Sequence, residues 1–257
     1  MLNYRRQFKC RRFLTVFLIA AITFLLSFNH LTNVQSDEVS VPDSIVFSAK
    51  YARNDWGGDS GPGSRAENTV LYRKLLQKIF NSSRIQSFVD LGCGDFQIMK
   101  LIHIPANKTY RGIDVVPNII KKNQQLFSVQ GSVHFNLIND LRDLKLGSEL
   151  LQGADLLIVK DILIHQSNAD IHYFIDNILP NVKFALITNG YTNDDDLNEE
   201  ILTGNYRPVD LTYPPFNLKN MELVLQYTYE KGESCKRVYF YTNPLFLNTP
   251  RHENFLP

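Results

Sequence analysis

Three cysteines in 257 residues are too few for a disulfide framework, and only Cys93 and Cys235 lie beyond the first ten residues. The folded part must therefore be held by its core. Net charge is also nearly missing, at +1 from 27 Lys and Arg against 26 Asp and Glu. Five of the basic residues, Arg5, Arg6, Lys9, Arg11 and Arg12, fall within residues 1–12, where there is no acid, so the rest carries 22 basic against 26 acidic residues. A mildly acidic body excludes a nucleic-acid polycation. At 44% hydrophobic and 21% charged residues, the chain also lacks the polar, highly charged composition of a disordered one.

The basic dozen leads directly into residues 13–28, FLTVFLIAAITFLLSF, sixteen residues without a charge. As a helix this run covers about 24 Å, a little short of the ~30 Å hydrocarbon core, a gap that snorkelling of Arg12 and interfacial burial of residues 29–31 can close. Two readings compete. A cleaved signal peptide wants small residues before the cut and meets Ser27, Asn29 and His30; a retained signal anchor needs only its basic end in the cytosol. The anchor is better supported. It predicts a cytoplasmic tail over 1–12, a transmembrane helix over 13–30, a polar stalk over 31–50 and a folded domain over 51–257 across the membrane. In that single-pass type II arrangement, Cys10 stands on the cytosolic flank, and Asn81-Ser82-Ser83 and Asn107-Lys108-Thr109 are usable N-glycosylation sequons.

The domain begins on glycine. Residues 51–64, YARNDWGGDSGPGS, hold four of the 13 glycines and the single Trp, and Gly57, Gly58, Gly61 and Gly63 permit close approach of backbone to a ligand. Ser64 to Glu67 fits a capping box, after which Val70, Leu71, Leu75, Ile79 and Phe80 recur at helical spacing. Short apolar strands are then expected at 87–91, 110–115, 134–138, 154–159 and 183–188. Helical stretches are expected from Gly94 to Ile104, from Pro117, and over 167–179. This alternation predicts an α/β fold, a Rossmann-like doubly wound and mostly parallel sheet. Residues 223–229 and 237–241 flank a turn at Gly232 and predict a C-terminal antiparallel hairpin.

Gly92 and Gly94 close the first strand, where backbone can approach a ligand. Asp114, 20 residues after Gly94 at the end of the second strand, can accept hydrogen bonds from both hydroxyls of a ribose. Together they indicate a nucleoside cofactor. A dinucleotide fingerprint would place a third glycine at position 97, which is Gln97, and Asp95 would set a carboxylate beside a pyrophosphate. A cofactor carrying an amino acid and a sulfonium fits better.

The segment Val89-Asp90-Leu91-Gly92-Cys93-Gly94-Asp95 resembles the glycine-rich motif of class I S-adenosylmethionine-dependent methyltransferases. Residues 56–64 (WGGDSGPGS), 110–117 (YRGIDVVP), 155–165 (DLLIVKDILIH) and 204–216 (GNYRPVDLTYPPF) are similar, in the same order, to methyltransferases common in polysaccharide and glycan biosynthesis. Asp210, where Asn is frequent, and Phe96, where Trp is common, depart from that pattern. The resemblance implies S-adenosyl-L-methionine as cofactor. Its expected ligands are Asp90, Gly92, Gly94 and Asp114, with Ser60, Gly61 and Gly63 from the N-terminal loop and Asp140 beside the adenine.

Asp161 and His165 follow the fourth strand and are the candidate catalytic residues, His165 as a base near neutral pH. Each has a structural alternative: Asp161 in shaping the cofactor loop, His165 in packing behind Leu163 and Ile164. Tyr206, Arg207 and Phe216, in a proline-rich stretch, are expected to bind substrate as a lid or acceptor wall, with core packing as the alternative. Asp194, Asp195 and Asp196 are consecutive and do not converge readily, so they are read as a solvated loop and no metal is expected. The resulting expectation is a membrane-anchored O-methyltransferase with a luminal domain, placed in the Golgi and acting on a glycan hydroxyl. A lipid or small-molecule acceptor and a catalytically inactive cofactor-binding scaffold are the alternatives, and nucleic acid is not an expected partner.

Overall fold

The computed structural model describes residues 41–128, 131–229 and 234–246. The expected tail over 1–12, transmembrane helix over 13–30 and first part of the stalk lie outside the described residues. Among the described residues, no helix is long and apolar enough to cross a membrane.

Seven strands make one sheet: β1 (Ser87–Leu91), β2 (Thr109–Asp114), β3 (Val133–Leu137), β4 (Leu156–Lys160), β5 (Phe184–Tyr191), β6 (Met221–Tyr229) and β7 (Ser234–Thr242). Their order is β3-β2-β1-β4-β5-β7-β6. The first five are parallel to one another, β7 lies antiparallel to β5, and β6 closes the edge antiparallel to β7, with an irregularity between Leu223 and Leu225. The chain leaves β1 toward β2 on one side and returns to β4 on the other. The switch point therefore lies between β1 and β4, where a doubly wound sheet opens a crevice at its carboxyl ends.

The two-residue period of the strands sorts the core into two layers. Phe88, Leu156, Ile158 and Leu186 pack with Tyr72, Leu76, Ile79 and Phe80 of α2 (Val70–Asn81). The Phe80 and Phe88 rings stack 3.8 Å apart and parallel to within 2°. Val89, Leu157, Val159 and Ile187 face the other way, onto Ile171 of α4 (Asn168–Tyr173) and onto Phe174 and Ile178 in the π turn that continues it. Between them in sequence, α3 (Pro117–Phe127) opens on its proline, where the missing N–H costs nothing.

Three expectations are corrected. Residues 43–50 are not stalk but the start of α1 (Asp43–Arg53). Its hydrophobic period is weak because Asp43 is its only fully buried residue and the helix covers a cavity rather than a core. It docks on the turn after β3: Leu141 N–H donates to Asp43 Oδ2 at 3.0 Å and Ser44 Oγ to Asn139 Oδ1 at 2.5 Å. The capping box from Ser64 to Glu67 does not form either. That stretch makes two short 3-10 turns, and α2 starts after Thr69 without a side-chain cap. Third, no α-helix follows Gly94. Phe96 adopts φ +61 and buries its ring against Tyr110, Phe127 and Phe135, which breaks any helical run there and leaves a single 3-10 turn at Met99–Leu101.

Candidate active site

A cavity of about 360 Å³, a size ordinary for a small-molecule site, opens at the carboxyl ends of β1, β2 and β4. Phe47 and Tyr51 of α1, and Trp56, Ser60 and Gly63 of the loop behind it, form its N-terminal wall.

The turn after β1 depends on Gly92, at φ +69, where a Cβ would lie 2.5 Å from Ile162 Cδ1. Only glycine lets the β1 and β4 turns approach this closely. Gly94 N–H donates to Asp114 Oδ2 at 2.9 Å and Val116 N–H to Asp114 Oδ1 at 3.0 Å. Each oxygen keeps a second lone pair, so the fixed carboxylate can still accept from two hydroxyls. Burial raises the Asp114 carboxyl above its ordinary value, against the pull of the backbone N–H donors. Behind the turn, Asp90 accepts from Tyr110 Oη at 2.5 Å, and burial pushes its carboxyl up to about 7. It lines a smaller recess shared with Gly92, Gly94 and Lys160. Ser60 ties the N-terminal loop to the turn, donating to Asp95 Oδ1 at 2.8 Å while accepting from Asp95 N–H at 3.0 Å.

On the β4 side, Asp161 stands at φ +59 between two ammonium groups. Lys160 Nζ lies 2.5 Å from Oδ2 and Lys236 Nζ 2.5 Å from Oδ1, and Lys160 also donates to the Gly63 carbonyl at 2.7 Å. Gly63 fits here because a Cβ would meet Asp161 Oδ2 at 2.9 Å. Burial alone would raise the Asp161 carboxyl, but the charges and hydrogen bonds of the two lysines outweigh it and hold it at about 2. So weak a base does not take a proton from a hydroxyl. The role the geometry gives Asp161 is to hold Lys160, Lys236 and the Gly63 loop together. Burial works against both ammoniums; Asp161 overcomes it at Lys236, which ends above its ordinary value, and not at Lys160, which ends below.

His165 has the opposite character. Its Nδ1 lies 2.7 Å from the Asn205 carbonyl, which can only accept, so Nδ1 carries the proton and the neutral ring keeps a lone pair on Nε2. Burial pushes the imidazole below its ordinary value near 6.5. Trp56, Tyr206 and Phe47 surround it, with ring centroids at 5.5, 6.0 and 6.4 Å.

Five expected site residues, Asp90 in the smaller recess being one of them, are not on the cavity wall. Gly61 sits behind it, packed on Trp56, with its N–H on Asp59. Asp140 caps the short turn after β3 through Arg142 N–H and accepts from Asp43 N–H at 3.3 Å. Arg207 spends its guanidinium on the Glu199 and Leu163 carbonyls and on Asn168 Oδ1, and burial lowers it to about 10. Phe216 belongs to the core, with its ring 5.2 Å from His172. These two residues are structural because the loop carrying them folds back on the sheet. Asp210 holds that loop, accepting from Arg237 Nη1 at 3.0 Å and from Tyr239 Oη at 2.7 Å. Tyr206 alone of the three expected substrate residues lines the cavity. Among the described residues, no group of three His, Cys, Asp or Glu is placed to hold a metal ion.

No protein-family model matches the chain, and no curated protein matches it in sequence. Solved structures do. The N-methyltransferase NodS from Bradyrhizobium japonicum WM9 in complex with S-adenosyl-L-homocysteine is similar at 13% identity and a TM-score of 0.57, over 77% of this chain and 98% of that one. The fold is that of the methyltransferases. The N-terminal domain of EvdMO1 with S-adenosylhomocysteine bound is similar to this methyltransferase fold at 14% identity and a TM-score of 0.51, over 69% of this chain and 82% of that one. The methyltransferase domain of bacterial CtHen1-CN is similar at 13% and 0.51, over 69% of this chain and 100% of that one.

Proposed function

We propose that the chain is an S-adenosylmethionine-dependent O-methyltransferase that acts on a glycan hydroxyl in the secretory pathway. The observation that carries this reading is Asp114. Fixed by two backbone N–H groups at the end of β2, it borders an apolar slot of Val115, Val116, Ile138 and Leu141. A ribose on the carboxylate would set its base in the slot, which is how the residues present fit a nucleoside cofactor. When bound, S-adenosylmethionine supplies a methyl already activated by its sulfonium. The protein has then to orient the acceptor oxygen and remove its proton. Nε2 of His165 takes that proton, and Nδ1–H on the Asn205 carbonyl holds the ring while it does so. Trp56 and Tyr206 offer aromatic faces beside the imidazole, a surface suited to the C–H face of a sugar ring.

The secretory assignment draws support from the uncharged run at 13–28 and from the sequons. Asn81 ends α2 and Asn107 precedes β2, and both are exposed at the amino-terminal end of the strands, away from the cavity. They are neighbours, since Lys108 Nζ donates to the Ser82 and Ile85 carbonyls. Glycans on both would leave the cavity mouth clear. Two measurements test the reading. Glycans from cells that make the protein should show a mass gain of one methylene that is missing without it, and methylation of lipid alone would contradict the glycan acceptor. The protein should also run faster on a gel after glycosidase treatment, a shift lost in the Asn81→Gln, Asn107→Gln double variant; no shift would contradict luminal placement.

A further inference from the structure

Strand β7 brings a second lysine to the cavity from the far side of β5. Lys236 stands opposite Gly190 in the antiparallel register of the two strands. Because Gly190 has no side chain, two polar groups can close over it: a Cβ there would lie 3.1 Å from Tyr206 Oη and 3.9 Å from Lys236 Nζ. The ammonium also lies 5.4 Å from the centre of the Tyr229 ring, and a Cβ on Gly63 would lie 3.6 Å from Lys236 Cε. Gly63, Tyr206 and Tyr229 all line the cavity, as does Lys236 itself, so the ammonium is bracketed by wall residues.

The charge at this end of the cavity is not balanced within the protein. Asp161 is one carboxylate shared by two lysines, which leaves one positive charge in the group. Of the three N–H groups on Lys236 Nζ, one donates to Asp161 Oδ1 at 2.5 Å, and among the described residues the other two have no acceptor. The remaining acids of the wall are committed elsewhere, Asp114 to the backbone N–H groups of Gly94 and Val116 and Asp43 to that of Leu141. The Lys236 side chain is only 3% exposed, and a buried charge in surplus is costly until an anion meets it. A neutral hydroxyl could accept one of the free N–H groups but would leave the charge; a carboxylate, sulfate or phosphate oxygen satisfies both. Tyr206 joins this spot to the base. Its ring lies 6.0 Å from the His165 imidazole and its hydroxyl closes over Gly190 beside the ammonium. A ligand lying along that ring meets the base at one end and the ammonium at the other, a span that a single sugar unit can cover.

We infer that the acceptor is an acidic sugar, whose anionic substituent binds Lys236 Nζ and Tyr206 Oη while its hydroxyl faces His165. This rests on the reading of the chain as a glycan methyltransferase. Calorimetry with the full chain saturated with S-adenosylhomocysteine compares methyl glucoside with methyl glucuronoside, in which a carboxylate replaces the hydroxymethyl group, and with the 6-sulfate and 6-phosphate of methyl glucoside. At least one of the three anions is expected to bind about tenfold or more tightly than the neutral sugar, and which one does so separates a uronate from a sulfate or a phosphate ester. Lys236→Gln is expected to abolish that preference with little change in S-adenosylhomocysteine affinity, Lys236→Arg to keep most of it, and Tyr206→Phe to reduce it. Tyr206 is 59% exposed, so its variant decides the matter even if Lys236→Gln does not fold. Equal affinity of the wild type for the neutral and anionic sugars overturns the proposal without any variant. So does a preference that survives Lys236→Gln or is unchanged in Tyr206→Phe, and so does a loss in Lys236→Gln that falls on S-adenosylhomocysteine, which would assign the ammonium to the cofactor's own carboxylate. If S-adenosylhomocysteine does not bind, the cofactor reading fails and this proposal with it; if it binds and no sugar follows, the glycan reading fails as well as this proposal. If the sugars bind without discrimination, only this proposal fails.

Discussion

Replacing His165 by glutamine lowers kcat/KM for methyl transfer by about 10²–10⁴-fold, the range for losing a positioned base, with little change in S-adenosylhomocysteine affinity. The expectation follows from the tautomer. The Asn205 carbonyl fixes the proton on Nδ1, so the lone pair stands on Nε2 in a ring that lines the cavity. Burial favours the neutral form by lowering the imidazole below 6.5. The working form is the unprotonated one, so kcat/KM should rise with pH through a value below 6.5 and be level at neutrality. A mildly acidic compartment would therefore still find the base competent. Both the loss of rate and the loss of that acid limb are expected in His165→Gln. Steady-state kinetics over pH checks them, and a variant that keeps most of its rate with the same pH profile would remove His165 from the chemistry.

Asp161→Ala should destabilise the fold by about 3–5 kcal/mol, because it leaves two buried ammonium groups without their counterion. For a domain of this size that is a fall in Tm on the order of 10 °C. Lys160 and Lys236 side chains are 7% and 3% exposed, so solvent cannot replace the carboxylate. Adding Lys160→Met should restore part of the loss by removing one orphan charge, and thermal unfolding of the single and double variants measures the coupling. The acid limb has a definite sign. The folded carboxyl titrates at about 2 against 3.8 for the free group, so Asp161 contributes about 2 kcal/mol, present above the free value and lost as pH falls toward 2. Asp161→Ala should flatten that limb. If the variant melts with the wild type at neutral pH, the ion cluster does not hold the β4 turn to β7.

The sheet was legible in the sequence because its signals are local. The apolar run of β4 and the acid that ends β2 each read within six residues, and both strands form within two residues of the expected bounds. The hairpin was also legible, since each of its strands is a continuous β-rich run. What the sequence concealed is non-local. Lys236 meets Asp161 across 75 residues, and nothing at either position announces the other. Residues 43–50 hid a helix because their partner is a cavity, so no apolar stripe betrays them. Arg207 and Phe216 carry the residue types of an acceptor wall, yet their loop is drawn back onto the sheet by Asp210, whose partners Arg237 and Tyr239 lie in a distant strand. Lys160 could have been found: a lysine closing a strand buried through Val159 must have a partner nearby, and the next residue is an acid.

The cofactor is the claim on which the rest depends, and calorimetry of the full chain with S-adenosylhomocysteine and with NAD tests it most directly. Saturable binding of S-adenosylhomocysteine at one site, lost in Asp114→Ala, and no binding of NAD is the expected result. Binding of NAD without S-adenosylhomocysteine would contradict the account.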